Sequence, residues 1–280
     1  MNSRRLMRRL RYHVKSLVDR RMPAPLPGSE IDVVIPVTRK DLAVLPLALE
    51  GIRRCVSHPI AAIYIVASPD PAVMEFCRDK GVEFVDERSV LGYGPSALGV
   101  TAGIPPRDRS GWIFQQLLKL SGAVGHSPRF VTVDADHVML QPHTFVAADG
   151  RLCFYQSKEY HRPYYEGMRR LMGLEPDSAL SYVAHKMVFD RELLASLRSR
   201  IESCNPGMKW DEAIVASIDR HELSGFSEFE LYGNYVPAGR KYRLPFRNHH
   251  LPASAMADYR ELVRRYVRRC RAVTFPDYLK

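Results

Sequence analysis

The stretch RFVTVDADHVML, residues 129–140, runs from apolar Phe130, Val131 and Val133 into two carboxylates, Asp134 and Asp136, and back into apolar residues. Two acids this close repel one another unless a cation lies between them. The choice is between a metal site and the acidic end of a strand. On an extended chain, residues two apart share a face, which lets the pair hold one hard cation through oxygen ligands. A D-x-D triplet arises often by chance, so its position has to decide.

The units before it give that position. IDVVIPV at 31–37 is a short run rich in β-branched residues, and 41–56 reads as a helix with Pro46 tolerated near its first turn. IAAIYIVA at 60–67 predicts a second strand, residues 71–80 a helix that stops at Gly81, and VEFVDE at 82–87 a third strand. A loop with five glycines between Gly92 and Gly111 then leads into the helix GWIFQQLLKLSGAVG and on to 129–140. Strands alternating with helices at this spacing predict an α/β fold, a Rossmann-type and mainly parallel sheet covered by helices on both faces. In such sheets ligands bind beyond the carboxyl ends of the strands. Thr38 and Arg39, Asp86 and Glu87, and Asp134 and Asp136 all fall at those ends. Beyond residue 140 the pattern predicts strands at 152–156 and 182–189 and helices near 163–173, 190–203 and 210–221, continuing the same domain.

The helix before the acidic pair strengthens the metal reading. Trp112, Gln115 or Gln116, and Lys119 recur three to four residues apart, while Ile113, Leu117, Leu118 and Leu120 supply a buried side. A lysine beside a diphosphate offsets the charge that builds on a leaving group. The plainer reading of Lys119 is a solvated lysine at a helix end. In SYVAHKMVFD, 181–190, strand alternation puts His185 and Lys186 on opposite faces. One of them contacts a bound phosphate or a second substrate, or His185 is a satisfied structural histidine.

Composition narrows the class. With 46% apolar residues, the 280-residue chain can bury a sizeable core. Five scattered cysteines include no C-x-x-C pair, which argues against both a disulfide framework and a structural zinc and fits a reducing compartment. The basic N-terminus lacks the apolar core of a signal peptide. The net charge of +10 divides unevenly: residues 1–28 carry eight Lys/Arg and one acid, and residues 259–280 seven Lys/Arg and two acids, leaving −2 for 29–258. Basicity confined to two ends is not a nucleic-acid footprint. Both ends have helical periodicity, with Leu6, Leu10, Val14 and Leu17 at one and Tyr259, Leu262, Val263, Tyr266, Val267 and Cys270 at the other. Such basic helices either dock on an anionic membrane surface or pack their stripe on the core. The two readings are even for the first helix, and packing is favoured for the second. The division expected is a basic helix and linker at 1–28, a catalytic domain at 29–258, and a basic helix and tail at 259–280. The location expected is cytoplasmic, peripheral on the inner face of the plasma membrane if the basic ends dock.

Four segments in order, IDVVIPVTRKD, GWIFQQLLKL, VTVDADHVML and FSEFELYGNYV, resemble bacterial glycosyltransferase-like proteins of the GT-A class, in particular a poorly characterised group linked to surface-polysaccharide synthesis. The resemblance covers about residues 31–250. It implies a GT-A-like fold and a nucleotide-diphosphate-sugar donor, with base and ribose near Pro36, Val37, Thr38 and Asp86. It implies Mn2+ or Mg2+ held on the diphosphate by Asp134 and Asp136, with a late histidine, His249 or His250, added to the shell. Transfer would go to a surface polysaccharide or a lipid-linked glycan.

An inverting transferase needs a carboxylate base for the acceptor hydroxyl; a retaining one does not. Asp211 lies at a helix start, where the dipole alone favours an acid. Glu228 and Glu230 lie among aromatics, where burial raises a carboxyl pKa. Tyr232 stacks on a sugar ring or packs in the core. Glu228 is favoured over Asp211. Two rivals stand beside this reading. D-A-D-H-V fits the D-x-D-x-[TV] pattern of haloacid-dehalogenase-type phosphatases with Asp134 as nucleophile, but that motif normally ends the first strand and no G-D-x-x-x-D follows. The other rival is a membrane-associated protein that binds a nucleotide-sugar without turning it over.

Overall fold

A computed structural model describes residues 3–18 and 22–279. In chain order, α1 (Ser3–Val18), β1 (Ile31–Pro36), α2 (Leu45–Cys55), β2 (Ile60–Ala67), α3 (Pro71–Lys80), β3 (Glu83–Asp86) and α4 (Glu87–Leu91) come first. A glycine-rich loop carries the small hairpin β4 (Thr101–Ala102) and β5 (Arg107–Asp108), followed by α5 (Ser110–Ser121), β6 (Arg129–Val133) and β7 (His137–Met139). The second half supplies β8 (Leu152–Gln156), α6 (Arg162–Met172), β9 (Lys186–Asp190), α7 (Arg191–Cys204), α8 (Trp210–Ser217) and α9 (Glu228–Tyr235). It ends with β10 (Lys241–Pro245), β11 (Asn248–His250), α10 (Tyr259–Tyr266) and β12 (Ala272–Thr274).

The central sheet has the order β3-β2-β1-β6-β9. β3, β2, β1 and β6 run parallel, and β9 runs antiparallel to β6. Every residue of β1 is buried, as a strand covered on both faces requires. Removing a Val or Ile of this kind from water contributes about 1.5–3 kcal/mol. The one charge on β1, Asp32, accepts the backbone N–H groups of His126 and Ser127 at 2.7 and 2.8 Å. α3 shows how sharply the local sequence sets an element: Asp70 caps it by accepting from Ala72 N–H at 2.8 Å, and Gly81 closes it at φ +59°.

Three sequence expectations change. The extended geometry expected across Asp134 and Asp136 does not hold, because the strand ends at Val133. The chain breaks there at a turn closed by His137 N–H donating to the Asp134 carbonyl at 3.0 Å, and β7 then joins a second sheet, β11-β12-β7. Gly51 of α2 permits this second sheet to sit close, because a Cβ there would stand 2.7 Å from the Met139 carbonyl oxygen. The strand expected at 182–189 begins only at Lys186, since His185 takes φ +61°. The C-terminal basic helix is the eight-residue α10, after which the chain enters the second sheet as β12. Tyr259, Leu262 and Cys270 are buried there with Val138, Leu140 and Val273.

α1 attaches by Tyr12, buried and donating to the Phe246 carbonyl, and by Arg8, 3.6 Å over the Tyr160 ring. Leu6, Met7, Leu10 and Val14 of the same helix are each more than half exposed. The side chain of Leu17 lies outside the described residues. Among the described residues, no helix is long and apolar enough to cross a membrane.

Candidate functional site

From β1 the chain steps outward to β2 and β3, then returns to place β6 on the other side of β1. The boundary between β1 and β6 is therefore the topological switch point, where diverging connections leave a crevice. A cleft of about 480 Å³ opens there. It is lined by Pro36 at the end of β1 and Asp41 after it, Asp134 and Asp136 after β6, Gln116 and Lys119 from α5, and Glu228 from α9.

Lys119 ties three elements together. Its Nζ donates to Asp134 Oδ1 at 2.7 Å and to Glu228 Oε1 at 2.6 Å, with Phe229 beneath it at 4.5 Å. Burial alone would lower its pKa, but the charges of Asp134 and Glu228 raise it instead. Burial pushes Glu228 up, and Lys119 pulls against that shift. Gln116 completes the contact by accepting the Glu228 N–H at 3.2 Å. The lysine is thus a buried counter-ion, not a solvated helix end.

His185 stands on the other side of Asp134, its Nδ1 3.2 Å from Asp134 Oδ2. β9 puts it there: because β9 is antiparallel, Lys186 pairs with Val133, and the preceding residue falls beside the acidic turn. Burial opposes the charged forms of both groups, yet Lys119 and His185 hold Asp134 below the carboxylate range, and Asp134 raises His185. Asp136 goes the opposite way, pushed up to about 6 by burial and then by the charge of Asp134. One donor atom from each of Asp134, Asp136 and His185 lies within 4.8 Å of the others. Oxygen and imidazole donors in this number suit Mn2+ or Mg2+. The left-handed backbone of His185 is the kind of local strain that collects at functional sites.

Other residues singled out from sequence lie elsewhere. His249 is exposed and faces Tyr266, whereas its neighbour His250 faces His185, Nε2 to Nε2 at 3.1 Å. Glu230 is buried outside the cleft, accepting from Tyr165 at 2.8 Å, Ser181 at 2.5 Å, Tyr182 N–H at 3.2 Å and Asn234 at 3.1 Å. Positions two apart on a helix diverge by about 200°, so Glu228 and Glu230 cannot share a site. Asp211 accepts from Tyr93 at 2.6 Å and does not line the cleft. Tyr232 is a core residue, its hydroxyl 2.9 Å from Asp190 N and its ring 4.6 Å from Phe189. Lys186 is fully buried against Phe246 and His137, on the opposite side of β9 from the cleft. Val37 is buried, Thr38 donates twice to Asp41 to cap a short turn, and Asp86 caps α4 away from the cleft.

The cleft also holds residues that no local pattern indicated. Glu159, Arg109, Tyr164 and Tyr278 line it, and Arg109 lies 4.3 Å over Trp112. The signal that existed was the histidine pair at 249–250, where strand alternation assigns one residue to each face.

A family model described as a family of unknown function (DUF6492) matches residues 29–266. The chain belongs to that family. The DUF6492 region contains Asp134, Asp136, His185, Lys119, Glu228, Glu159 and His250, while α1 and Tyr278 lie outside it. No curated protein matches the chain. The apo crystal structure of mouse xyloside xylosyltransferase 1 is similar over 90% of this chain and 99% of that one, at 11% identity and a TM-score of 0.46.

Proposed function

We propose that this DUF6492 protein is a metal-dependent glycosyltransferase, moving a sugar from a nucleotide-diphosphate-sugar to a surface polysaccharide or lipid-linked glycan. The observation that carries the reading is the Asp134, Asp136 and His185 cluster at the switch point of the sheet, within a cleft of substrate size. The four sequence segments that resemble GT-A proteins supply β1, α5, the acidic turn and α9, the elements that meet in this cleft.

The donor set fits a hard divalent ion, and Asp136, lifted to about 6 by burial and by Asp134, is the group such an ion would relieve. Bound there, Mn2+ or Mg2+ would neutralise the diphosphate of the donor. Pro36 and Asp41 bound the side of the cleft where the nucleotide would enter. Lys119 fixes Asp134 and Glu228 relative to each other, and Glu228, which lines the cleft, would take the acceptor proton in an inverting reaction. The exposed apolar stripe of α1, on a segment with Arg4, Arg5, Arg8, Arg9, Arg11 and Lys15 and no acid, suits an anionic lipid surface. That placement suits a cytoplasmic enzyme working at the inner face of the plasma membrane.

A thermal-shift screen of UDP-, GDP-, CMP- and dTDP-sugars, with and without Mn2+, tests the proposal. A metal-dependent rise in Tm with one nucleotide class, lost in Asp136→Asn, is expected. No stabilisation by any nucleotide, or stabilisation indifferent to Asp136→Asn, would overturn it.

A further inference from the structure

On the far edge of the His185 ring from Asp134, three side chains from separate parts of the chain converge. His185 Nε2 and His250 Nε2 are 3.1 Å apart, and Glu159 Oε1 is 3.5 Å from His250 Nε2. One donor atom from each lies within 4.8 Å of the others. Glu159 comes from the loop after β8, His185 from the bend before β9 and His250 from the end of β11.

Both histidines are oriented by groups outside this trio. The Nδ1 of His185 faces Asp134 Oδ2 at 3.2 Å, and the Nδ1 of His250 faces the Tyr278 hydroxyl at 3.0 Å. An ion bound at Nε2 would leave the remaining proton of His185 on Nδ1, facing Asp134. A carboxylate behind a histidine is the arrangement that fixes tautomer and ring angle in metal sites. The ring is also stacked on His137 with centroids 5.5 Å apart, and its backbone takes the left-handed conformation that delivers it here.

We infer that Glu159, His185 and His250 form a zinc-class metal site beside the Asp134 and Asp136 pair. Two imidazole nitrogens each about 2.0–2.1 Å from Zn2+ stand roughly 2.9–3.4 Å apart at ordinary bond angles, and the observed separation lies in that range. Two histidines and a glutamate are three protein ligands of a type zinc accepts, with a fourth position left open. This donor set is softer than the one at Asp134 and Asp136 and selects a different ion. The site uses Nε2 of His185, whose Nδ1–H would then serve Asp134 as a hydrogen-bond donor, leaving the carboxylate pair to hold its own ion through oxygen. Glu159, His185 and Tyr278 line the cleft, and their side chains and that of His250 are partly exposed, which gives an ion a route in. An ion here would clasp the 157–161 loop, β11 and the C-terminal segment along one wall of the cleft. The inference does not rest on the transferase reading.

Titration of the full-length protein with Zn2+ by calorimetry, and with Co2+ by visible absorption, tests the site. One equivalent of Zn2+ and a cobalt d–d spectrum of low coordination number are expected. His250→Gln and Glu159→Gln should each weaken Zn2+ binding by ~100-fold or more, and Tyr278→Phe by ~10-fold, as for loss of an outer partner. Asp136→Asn should leave Zn2+ affinity unchanged. Circular dichroism checks each fold; if His250→Gln unfolds, the surface variants Glu159→Gln and Tyr278→Phe carry the test. Wild-type Zn2+ affinity in Glu159→Gln overturns the site, as does a loss in Asp136→Asn matching that in Glu159→Gln. Nucleotide-sugar stabilisation in Mn2+ reads the other cluster and can fail or succeed separately.

Discussion

Glu228 Oε1 accepts a hydrogen bond from Lys119 Nζ at 2.6 Å, with both side chains almost fully buried. The lysine belongs to α5 and the glutamate to the first turn of α9, more than a hundred residues later. Because Asp134 shares the same ammonium, one buried cation sets the spacing of the acidic turn and the carboxylate across the cleft.

Lys119→Met should therefore be among the most damaging single substitutions in the molecule. It leaves two carboxylates without their cation, and removing one partner from a buried pair costs about 3–5 kcal/mol. Urea denaturation should show that loss. The double variant Lys119→Met/Glu228→Gln should recover part of it, since one uncompensated charge is gone. Equal loss in the single and double variants would mean that the pair contributes no coupling.

His185 separates backbone from side chain in a second experiment. At φ +61° any residue with a Cβ is strained, and glycine is not. His185→Gly should be more stable than His185→Ala by about 1 kcal/mol, while both lose metal binding at either edge of the ring. Thermal melts of the two variants, alone and with Mn2+ or Zn2+, read the two effects independently. If alanine is as stable as glycine, the left-handed conformation is not imposed by the fold.

Much of this was legible along the chain, and the rest was not for identifiable reasons. β1, β2 and α3 follow from β-branched runs and from Asp70, Pro71 and Gly81, signals that act within a few residues. Asp134, Asp136, Lys119 and Glu228 could be singled out because each lies at the end or on the face of such an element. The turn at 134–136 was hidden because nothing in V-D-A-D-H forbids continued extension; the break comes from pairing of β7 with β12, 135 residues downstream. Glu159 and His250 are separated by 91 residues; His250 was singled out only as one of a histidine pair and Glu159 by nothing local, so their meeting is purely tertiary. Lys186, Glu230 and Tyr232 misled because each adjoins or nearly adjoins a residue of the cleft, and periodicity without a known face cannot say which of the two turns inward.

Glu230 makes the clearest pH prediction. Burial pushes its carboxyl up to about 7, against the pull of Ser181, Tyr165, Tyr182 N–H and Asn234. With the folded pKa above the unfolded one, both states are protonated below about 4.5 and the group is neutral to stability there. Between about 4.5 and 7 the unfolded chain ionises first, so stability falls as pH rises and levels off above about 7. The expected decline is on the order of 2–3 kcal/mol. Glu230→Gln, which cannot ionise, should flatten this segment of the profile in urea melts at pH 4.5, 5.5, 6.5 and 7.5. A wild-type slope retained in the variant would assign the pH dependence to other groups.

The apolar stripe of α1 supports a prediction that leaves the cleft untouched. Leu6 and Leu10 are 51% and 55% exposed, whereas Tyr12 and Arg8 hold the helix to the body on a different face. Burying either leucine in a lipid interface would contribute about 1.5–3 kcal/mol, and each nearby arginine about 1 kcal/mol at an anionic surface. Leu6→Glu/Leu10→Glu should lower sedimentation with phosphatidylserine vesicles by ~10-fold or more while leaving Tm and Mn2+ binding unchanged. Binding by the wild type should weaken with salt and disappear on neutral vesicles, since the arginines are screened and have no anionic partner. Equal sedimentation of wild type and variant would show that α1 does not meet the membrane.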